Sequence, residues 1–455
     1  MTKLSYADLE FPNYINTNIA ASIVGKKGRT KKKINLSVPE IVNAAELSGS
    51  NMLIISDTGK GKTRLAADIG WYHFGGDGEE GKTAWVKGRL DFEPRDFFLR
   101  TRIDREERLY DSRTATQIDI KRIQRLLFIL DELNRIPLLK QNAAMDIAEG
   151  EYAHNGVSYA LGRGGYALFL GTANVNKING EFKGTSSIDK ALLSRAHLVI
   201  DLDHLPFRPT PSDIEEMHER EADPRVRKGE PRDISDKIIE EFHAIREKSK
   251  IIDPYILAFD YMVGDYGLGF CNKDTLREKT TTFPSLCGDC TYSGKKMCSM
   301  AKASPPRTLQ AIRSLALGLE RVITLREGAD IELDPFDLAL LAYQFTAYHG
   351  NLNDIMAQTE FGGRTQALMD TVKVELGKRI ELFRKYMPLI IEGKDPVVIR
   401  YTIDGMEQTV ERNTTTPDLL KQANIPYTVV DLRSELKMEG IGTEWVDTFT
   451  KRYKK

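Results

Sequence analysis

The stretch from residue 51 to residue 70 constrains the fold of this chain more than any other. A short apolar run, NMLII, precedes a Gly/Lys-rich turn, and the helix-like KTRLAADIG follows from its end. The turn itself reads Ser56, Asp57, Thr58, Gly59, Lys60, Gly61, Lys62 and Thr63. Glycines let backbone N–H groups approach an anion, and a helix N-terminus favours negative charge. A strand, this turn and a helix in that order predict a loop that binds the phosphates of a nucleotide.

The residue types of this turn suit ATP and Mg²⁺. Gly59 and Gly61 let the backbone close around the phosphates. Lys62 is expected to reach the β and γ oxygens, and the Thr63 hydroxyl is expected to ligate Mg²⁺. Ser56 stands where the usual pattern, G-x-x-x-x-G-K-[ST], has its first glycine, so the turn must accommodate a side chain there.

Two adjacent carboxylates, Asp131 and Glu132, follow a second apolar run, LLFIL. Open α/β sheets bind ligands at the carboxyl ends of their strands, so these acids are expected beside the phosphate loop. We predict that Asp131 holds Mg²⁺ together with Thr63. Glu132 is predicted to polarise the water that attacks the γ-phosphate.

Three further polar residues are candidates for the same site. Asn174 comes shortly after a third apolar run, YALFL, and its neutral amide is suited to orienting a water. Arg195 lies near the end of a helix-like segment, from which a guanidinium can reach a γ-phosphate on a neighbouring subunit. Arg307 follows Ser304 and two prolines at the start of a helix, and is expected to bridge a helical domain to the nucleotide.

The pattern along the 455 residues predicts several domains. Helix-like stretches alternate with near-continuous apolar runs from about residue 38 to about residue 175, which indicates a parallel sheet covered on both faces. Asn155 and Gly156 predict a β-hairpin inserted between two of these strands. The predicted parts are an N-terminal lead-in (1–36), an α/β nucleotide-binding domain (37–205), an all-α lid domain (206–350) with a Cys-rich insert (270–303), and a C-terminal α+β accessory region (351–455).

Charge and hydropathy narrow the function classes. The chain has 65 Lys and Arg against 66 Asp and Glu, so no global field steers it to nucleic acid or to an anionic membrane. The basic run from Lys26 to Lys33 is interpreted as a solvated loop. No stretch approaches the roughly 18 apolar residues that cross a bilayer, and the N-terminus lacks the pattern of a signal peptide. These features predict a cytoplasmic protein without membrane contact.

The cysteines predict a metal site. They are Cys271, Cys287, Cys290 and Cys298, in a polar segment with too few large apolar residues to form its own core. Coordination of one metal ion by four thiolates would stabilise the folded form of that segment. Zinc is the favoured ion and an iron–sulfur (4Fe–4S) cluster the alternative. Free structural thiols remain open, whereas catalytic thiol chemistry is disfavoured because no histidine lies nearby in sequence.

The order of these elements resembles the AAA+ ATPases, and DELNRIPLLKQNAAMDIAEGEY resembles the DE-I-N-R motif of the MoxR branch, whose members carry a β-hairpin in the second helix. The resemblance covers residue 38 to about residue 350. It implies roles for Lys62 and Thr63 (Walker A), Asp131 and Glu132 (Walker B), Asn174 (sensor 1), Arg195 (arginine finger) and Arg307 (sensor 2). Ala173 and Val175 replace the Gln and Pro that the family tends to have beside the sensor, and Ala196 replaces a Phe after the finger.

The resemblance also implies a biological role. MoxR-like ATPases form rings, usually hexamers with ATP at the subunit interfaces, and remodel or mature protein partners, often with a von Willebrand A-type protein. The alternative is a nucleic-acid motor with the same ATPase core, in which the inserted hairpin and the basic run would face the strand. A nucleotide-gated scaffold without turnover is disfavoured because Glu132 is present. Near-zero net charge favours the protein remodeller.

Overall fold

The structure is a computed structural model that divides into two compact units. Unit 1 comprises Met1–Ile251 and Gln310–Gly350, and unit 2 comprises Ile252–Leu309 and Asn351–Lys455. The four-part division expected from the sequence stays a prediction. The residues that the structure describes are 3–13, 19–93, 95–101, 116–118, 120–154, 156–174, 188–204, 210–212, 214–215, 230–265, 268, 297–347, 350–403, 405–411, 416–438, 443 and 445–453.

The described elements are numbered separately as strands and helices. The strands are β1 (Ala21–Lys27), β2 (Thr30–Leu36), β3 (Met52–Ser56), β4 (Thr83–Lys87), β5 (Leu99–Thr101), β6 (Thr116–Ile118), β7 (Leu127–Asp131), β8 (Glu151–His154), β9 (Val157–Ala160), β10 (Leu168–Asn174), β11 (Leu198–Asp201), β12 (Ile331–Leu333), β13 (Val397–Ile403), β14 (Met406–Glu411) and β15 (Tyr427–Asp431). The helices are α1 (Tyr6–Leu9), α2 (Val38–Ser48), α3 (Lys62–His73), α4 (Arg95–Phe98), α5 (Ile120–Ile123), α6 (Asn142–Ala148), α7 (Lys190–Leu193), α8 (Ser235–Ser249), α9 (Pro254–Val263), α10 (Met297–Met300), α11 (Pro306–Glu327), α12 (Pro335–Thr346), α13 (Asp354–Phe361), α14 (Thr365–Ile391), α15 (Thr416–Gln422), α16 (Leu432–Met438) and α17 (Val446–Tyr453).

Unit 1 is built on a five-stranded sheet in the order β11-β3-β10-β7-β4. Every neighbouring pair is parallel, which confirms the α/β fold class. All residues of β3 and β7 are buried, as expected for strands covered on both faces. Phe128, Leu130 and Phe169 lie in the core beside this sheet. Each such side chain contributes about 1.5–3 kcal/mol through burial, so the sheet is a rigid base for the loops at its edge.

Strand β10 is longer than its apolar run. The sequence predicted a strand from Tyr166 to Leu170, whereas the strand starts two residues later, at Leu168, and continues to Asn174. It continues because β3 provides a parallel partner along this length, pairing Leu170 with Met52 and Asn174 with Ser56. The extra pairs bring Asn174 level with the last residue before the phosphate loop.

The basic run at the start of the chain lies in a β-hairpin, so the prediction of a loop was wrong. Strands β1 and β2 pair antiparallel, and β12 pairs with β1 to complete a three-stranded sheet. Ile23, Ile34 and Leu36 alternate with exposed residues and are buried on one face. The region expected to be an all-α lid therefore contributes one strand, β12, to unit 1.

One other local prediction is confirmed. Strands β8 and β9 form the hairpin expected around Gly156. Asp253 and Asp334 cap α9 and α12, each accepting hydrogen bonds from two backbone N–H groups of the first turn. The helix expected to start at Pro305 starts one residue later, at Pro306.

Unit 2 combines helices with a small antiparallel sheet in the order β14-β13-β15. Tyr261, Phe383, Trp445 and Phe449 pack their rings together, with the centroids of Tyr261 and Trp445 4.4 Å apart. The helix-and-strand composition predicted for the C-terminal region is thus present. No helix in the part of the chain that the structure describes is long and apolar enough to cross a membrane.

Candidate active site

The Gly/Lys turn lies at the carboxyl end of β3, in the middle of the parallel sheet. Ser56 is the last residue of the strand and is fully buried. Gly59 and Gly61 both have φ of 79°, in the left-handed region that glycine adopts without strain. Helix α3 begins immediately afterwards at Lys62. The predicted loop, with its glycine turn and helix N-terminus, is therefore formed.

The Lys62 ammonium is enclosed by the loop that precedes it. Its Nζ donates to the backbone oxygens of Ser56 and Asp57, at 3.0 and 2.8 Å, and to Ser56 Oγ at 2.9 Å. Burial lowers the pKa of Lys62, and the carboxylates of Asp203, Asp57, Asp131 and Glu132 oppose that shift. The serine in place of the first glycine is thus accommodated, and its hydroxyl is one of the acceptors that position the lysine.

Thr63 and Asp131 form the centre expected to bind Mg²⁺. The Thr63 hydroxyl donates to Asp131 Oδ1 at 2.9 Å, which joins the start of α3 to the end of β7. Asp131 is 3% exposed. A hydroxyl and one carboxylate are oxygen ligands of the kind that Mg²⁺ prefers, and Mg²⁺ sites usually take their other ligands from phosphate and water. The residues present therefore fit the ion.

Thr172 on β10 connects the two acids. Its hydroxyl donates to Asp131 Oδ1 at 2.6 Å and accepts from the backbone N–H of Glu132 at 2.9 Å. Thr172 is 1% exposed, so water does not compete for these hydrogen bonds. One buried hydroxyl therefore fixes the carboxylate of Asp131 and the backbone of Glu132.

Glu132 has an unusual backbone conformation. Its φ of 56° and ψ of 45° lie in the left-handed region, which costs a non-glycine residue on the order of 1–3 kcal/mol. Gly88 makes this conformation possible, because a Cβ there would lie 2.4 Å from the Glu132 backbone oxygen. Such strain is often concentrated at functional sites. The backbone therefore turns sharply at the acid proposed to act on water.

The Glu132 carboxylate forms two ion pairs. Lys87, at the end of β4, lies 3.2 Å from Oε2, and Arg135 lies 3.1 Å from Oε1. The two cationic side chains are 65% and 52% exposed, whereas Glu132 is 16% exposed. Exposed pairs of this kind contribute about 0.2–1 kcal/mol each. Glu132 is therefore held, but not so firmly that it could not turn towards a bound water.

Asn134 fixes the end of the predicted sensor strand. Its side-chain amide donates to the backbone oxygen of Asn174 at 2.6 Å and accepts from the backbone N–H of Asn174 at 3.2 Å. Asn134 is 4% exposed and lies two residues after Glu132. The pair connects the segment that carries the two acids to the strand that carries Asn174.

Asp203 is a further acid at the loop. Its Oδ2 accepts from the backbone N–H of Asp57 at 2.8 Å, and its own backbone N–H donates to Asp201 Oδ1 at 3.1 Å. Asp201 ends β11, so this strand too delivers a carboxylate to the carboxyl edge of the sheet. Among the carboxylates that favour the protonated form of Lys62, Asp203 has the largest effect on its pKa.

Sequence reasoning assigned no role to Thr172, Asn134, Asp203, Lys87 or Gly88. The positions of Thr172 and Asp203 at the ends of apolar runs were available signals, since α/β sheets bind ligands at that edge. Gly88 and Lys87 carry no such signal, because their proximity to Glu132 depends on the pairing of β4 with β7.

Arg195 and Arg307 are the remaining predicted residues of the site. The Arg195 guanidinium donates to Glu149 Oε1 at 2.8 Å and to the backbone oxygen of Ala191 at 2.9 Å. Arg307 lies in the first turn of α11, in unit 2. Their roles stay predictions.

The cysteine cluster falls almost wholly outside the described residues. Cys271, Cys287 and Cys290 are not among them, and Cys298 lies in the short helix α10. Within the described ranges, no group of three or more His, Cys, Asp or Glu could hold a metal ion. The zinc or iron–sulfur site therefore stays a prediction.

Comparison with known proteins defines the fold. No protein-family model matches the chain, and no curated protein matches it in sequence. In structure the chain is similar to a putative ATPase from Cytophaga hutchinsonii, with a TM-score of 0.50, 15% identity, and coverage of 74% of this chain and 88% of that one. At this identity the likeness concerns the fold alone: an α/β unit with a parallel sheet, together with a helical region.

Proposed function

We propose that this protein is a Mg²⁺-dependent ATPase whose reaction site is the carboxyl edge of the unit 1 sheet. The observation that carries the proposal is the convergence of Lys62, Thr63, Asp131 and Glu132, which come from two segments of the chain about seventy residues apart. A buried lysine, a hydroxyl paired with a carboxylate and a second acid on the next residue are the groups that phosphoryl transfer to water requires.

Each group has a defined task in this proposal. The loop from Asp57 to Gly61 surrounds the phosphates with backbone N–H groups, and the N-terminus of α3 favours their charge. Lys62, now bonded to loop oxygens, exchanges these acceptors for β and γ oxygens of the nucleotide. Glu132 accepts hydrogen bonds from the attacking water and aligns it with the γ-phosphorus, assisted by the Asn174 amide.

Magnesium would be held by Thr63 and Asp131. When bound, it neutralises charge that develops on the phosphate oxygens. Asp131 is kept in position by the hydroxyls of Thr63 and Thr172. Buried, doubly hydrogen-bonded carboxylates have little rotational freedom, so the ion-binding oxygen is positioned before the nucleotide arrives.

The resemblance of DELNR and its context to the MoxR branch supports a finer proposal. In it the protein is a cytoplasmic homo-oligomeric ring, a hexamer, that remodels or matures a protein partner such as a von Willebrand A-type protein. Arg195 would act on ATP bound to a neighbouring subunit. Its partners within its own subunit, Glu149 and Ala191, belong to neither the phosphate loop nor the acid pair, which is consistent with that role. Arg307 would take the role of the sensor 2 arginine of this family.

A second candidate is a nucleic-acid motor with the same ATPase core. The specific observation in its favour is the β1–β2 hairpin, which carries the basic residues from Lys26 to Lys33 on a defined surface of unit 1. Stimulation of hydrolysis by nucleic acid, declining with salt, would favour this candidate over the protein remodeller.

The four cysteines are proposed to bind zinc, with an iron–sulfur cluster as the alternative. Metal analysis and the visible absorption spectrum of the purified protein distinguish the two, because only the cluster is coloured. Loss of the metal in Cys287→Ser would support a site formed by these thiolates. A metal-free wild-type protein, purified without chelator, would exclude both ions.

The ATPase proposal is tested by nucleotide binding and assembly in Glu132→Gln. This substitution keeps the shape of the side chain but replaces one acceptor oxygen with an NH₂ donor and removes the charge that activates water. We expect hydrolysis to fall by about 10²-fold or more while ATP binding persists. Light scattering with ATP should then show a stabilised oligomer. Unchanged hydrolysis would remove Glu132 from its role, and failure to bind ATP and Mg²⁺ would refute the site.

A further inference from the structure

Strand β4 is an edge strand of the unit 1 sheet among the residues that the structure describes. The Gly88 N–H donates to the backbone oxygen of Asp131 at 2.6 Å, and the Leu127 N–H donates to the backbone oxygen of Lys82 at 3.1 Å. The even-numbered residues of β4 therefore bond to β7, and the backbone groups of its odd-numbered residues point away from the sheet. An open edge of this kind is a template for pairing with another extended chain.

The outward backbone groups of β4 differ in whether they are already bonded. The Thr83 N–H donates to the Gly76 oxygen at 3.1 Å, and the Thr83 oxygen accepts from the Arg125 guanidinium. Within the described ranges, the outward groups of Trp85 and Lys87 form no hydrogen bond. Two N–H groups and two carbonyl oxygens in the C-terminal half of β4 are therefore left for an incoming strand or for water.

A cavity of about 190 Å³ lies between α3 and the edge of β4. Trp71 and Trp85, both half-buried, form two of its walls, and Asp77 carries the one charge among its described lining residues. Asp77 is exposed and forms no ion pair with the residues that the structure describes. Indole faces and a carboxylate both attract cations, and a cavity of about 150 Å³ already holds a benzene-sized group. This cavity therefore suits the end of a lysine or arginine side chain.

A second cavity, of about 130 Å³, lies on the other face of β4. Ala84, whose side chain points to the opposite face from Trp85, lines it together with Arg122 and Arg125. Asp77 lines this cavity too, although neither of these described arginines forms an ion pair with it. Two guanidinium groups therefore stand beside one carboxylate, and the excess of positive charge suits an acidic side chain.

A chain that extends the sheet beside β4 would reach both cavities. Its side chains alternate between the two faces, so the residue opposite Trp85 would enter the first cavity and the next residue would enter the second. In this mode of recognition main-chain hydrogen bonds provide affinity, and pockets for alternate side chains provide specificity. We infer that the outer edge of β4 binds an extended segment of a partner protein in which a lysine or arginine is adjacent to an aspartate or glutamate.

The bound segment would lie beside the nucleotide loop, because Thr63 lines the first cavity and also bonds to Asp131. Binding itself needs neither nucleotide nor hydrolysis, since Trp85, Asp77 and Arg125 have no part in the proposed ATPase site. A protein that failed to hydrolyse ATP would therefore still bind such a segment.

The test follows fluorescence anisotropy while the full-length protein, without nucleotide, is titrated into the capped, fluorescein-labelled heptapeptide Thr-Val-Glu-Arg-Glu-Val-Thr. An arginine between two glutamates suits either direction of the strand. The control peptide carries citrulline, which is neutral, in place of arginine. We expect Asp77→Asn to weaken binding of the arginine peptide by about 2-fold to 5-fold, the range of a partly exposed ion pair. The citrulline peptide should bind more weakly, and equally to both proteins.

The matched control variant is Glu80→Gln, which removes an exposed acid from the same loop but from neither cavity. It should bind the arginine peptide as the wild type does. N-methylation of the arginine and of the glutamate after it removes the ladder donor in either strand direction, and should weaken binding about 5-fold or more. Thermal melting of both variants reports whether they fold, and ATP hydrolysis by Asp77→Asn without peptide should equal that of the wild type.

Three results would contradict a peptide site at β4: no binding of the arginine peptide at about 1 mM, equal affinity for the arginine and citrulline peptides, or equal weakening in Asp77→Asn and Glu80→Gln. Undiminished binding of the N-methylated peptide would exclude pairing with the edge. A change of oligomeric state in Asp77→Asn, measured by light scattering, would assign the edge to a second copy of this chain and overturn the assignment to a partner protein.

Discussion

Thr172→Val removes one buried hydroxyl from the centre of the site while keeping the shape of the side chain. That hydroxyl donates to Asp131 Oδ1 at 2.6 Å and accepts from Glu132 N–H at 2.9 Å. Thr172 is 1% exposed, so no bulk water replaces these contacts. Both acids of the proposed ATPase site thus lose a fixed partner through a single substitution.

The magnitude follows from the cost of leaving buried polar groups unsatisfied. The backbone N–H of Glu132 loses its hydrogen bond to Thr172, and leaving it without an acceptor lowers the free energy of unfolding by about 1–3 kcal/mol. Asp131 also loses one of its two hydroxyl donors. For a domain of the size of unit 1 the melting temperature falls by about 1.6 °C for each kcal/mol lost. Displacement of a catalytic group by about 1 Å can lower the rate about 10²-fold. We therefore expect reduced stability together with a loss of turnover of that order.

Thr172→Ser is the matched control, because it keeps the hydroxyl and loses only a methyl group. Differential scanning calorimetry and steady-state ATP hydrolysis would be measured for both variants. The Ser variant should stay within several-fold of the wild-type rate. If the Val variant hydrolyses ATP as fast as the wild type, the reasoning that one hydroxyl positions both acids is refuted.

Three further predictions concern other residues of the site. Gly88→Ala should lower turnover, because the new Cβ would lie 2.4 Å from the backbone oxygen of the acid proposed to activate water; Gly78→Ala, whose Cβ meets nothing within 4 Å, should not. Burial lowers the pKa of Lys62 below its usual 10.5, so the charged form that binds phosphate is lost as pH rises through that lowered value. The ATP affinity of the wild type, measured from pH 7 to 10, should therefore decrease within this range. The affinity of Lys62→Arg should change less with pH, and the same pH dependence in both proteins would contradict this. Arg195→Ala should reduce hydrolysis by the assembled protein, whereas Glu149→Ala, which breaks the same 2.8 Å ion pair, should not; equal losses would assign the arginine a structural role.

Much of the fold could be predicted from the sequence because its signals are local. Buried parallel strands are near-continuous apolar runs, and β3 and β7 were located by LII and LFIL. The β8–β9 hairpin was located by its Asn-Gly turn. The β1–β2 hairpin was missed because charged residues dominate it, and only every second residue of β1 is buried. Its pairing with β12, some three hundred residues away, has no local signal.

The residues of the site likewise fall into those with a local sequence signal and those without one. The loop and the acid pair are contiguous motifs, so their chemistry could be inferred from the residues alone. Thr172, Gly88 and Asp203 act through contacts between strands that are far apart in sequence, and these depend on the sheet order β11-β3-β10-β7-β4. The strained backbone of Glu132 likewise depends on a glycine in a neighbouring strand connection.

The most direct test of the central claim is steady-state hydrolysis of ATP by the purified protein with and without Mg²⁺, beside Lys62→Ala. The account predicts Mg²⁺-dependent release of phosphate that is abolished in the variant, since Lys62 is the cation enclosed by the loop. Turnover that survives in Lys62→Ala, or no turnover by a wild-type protein that binds ATP, would contradict it.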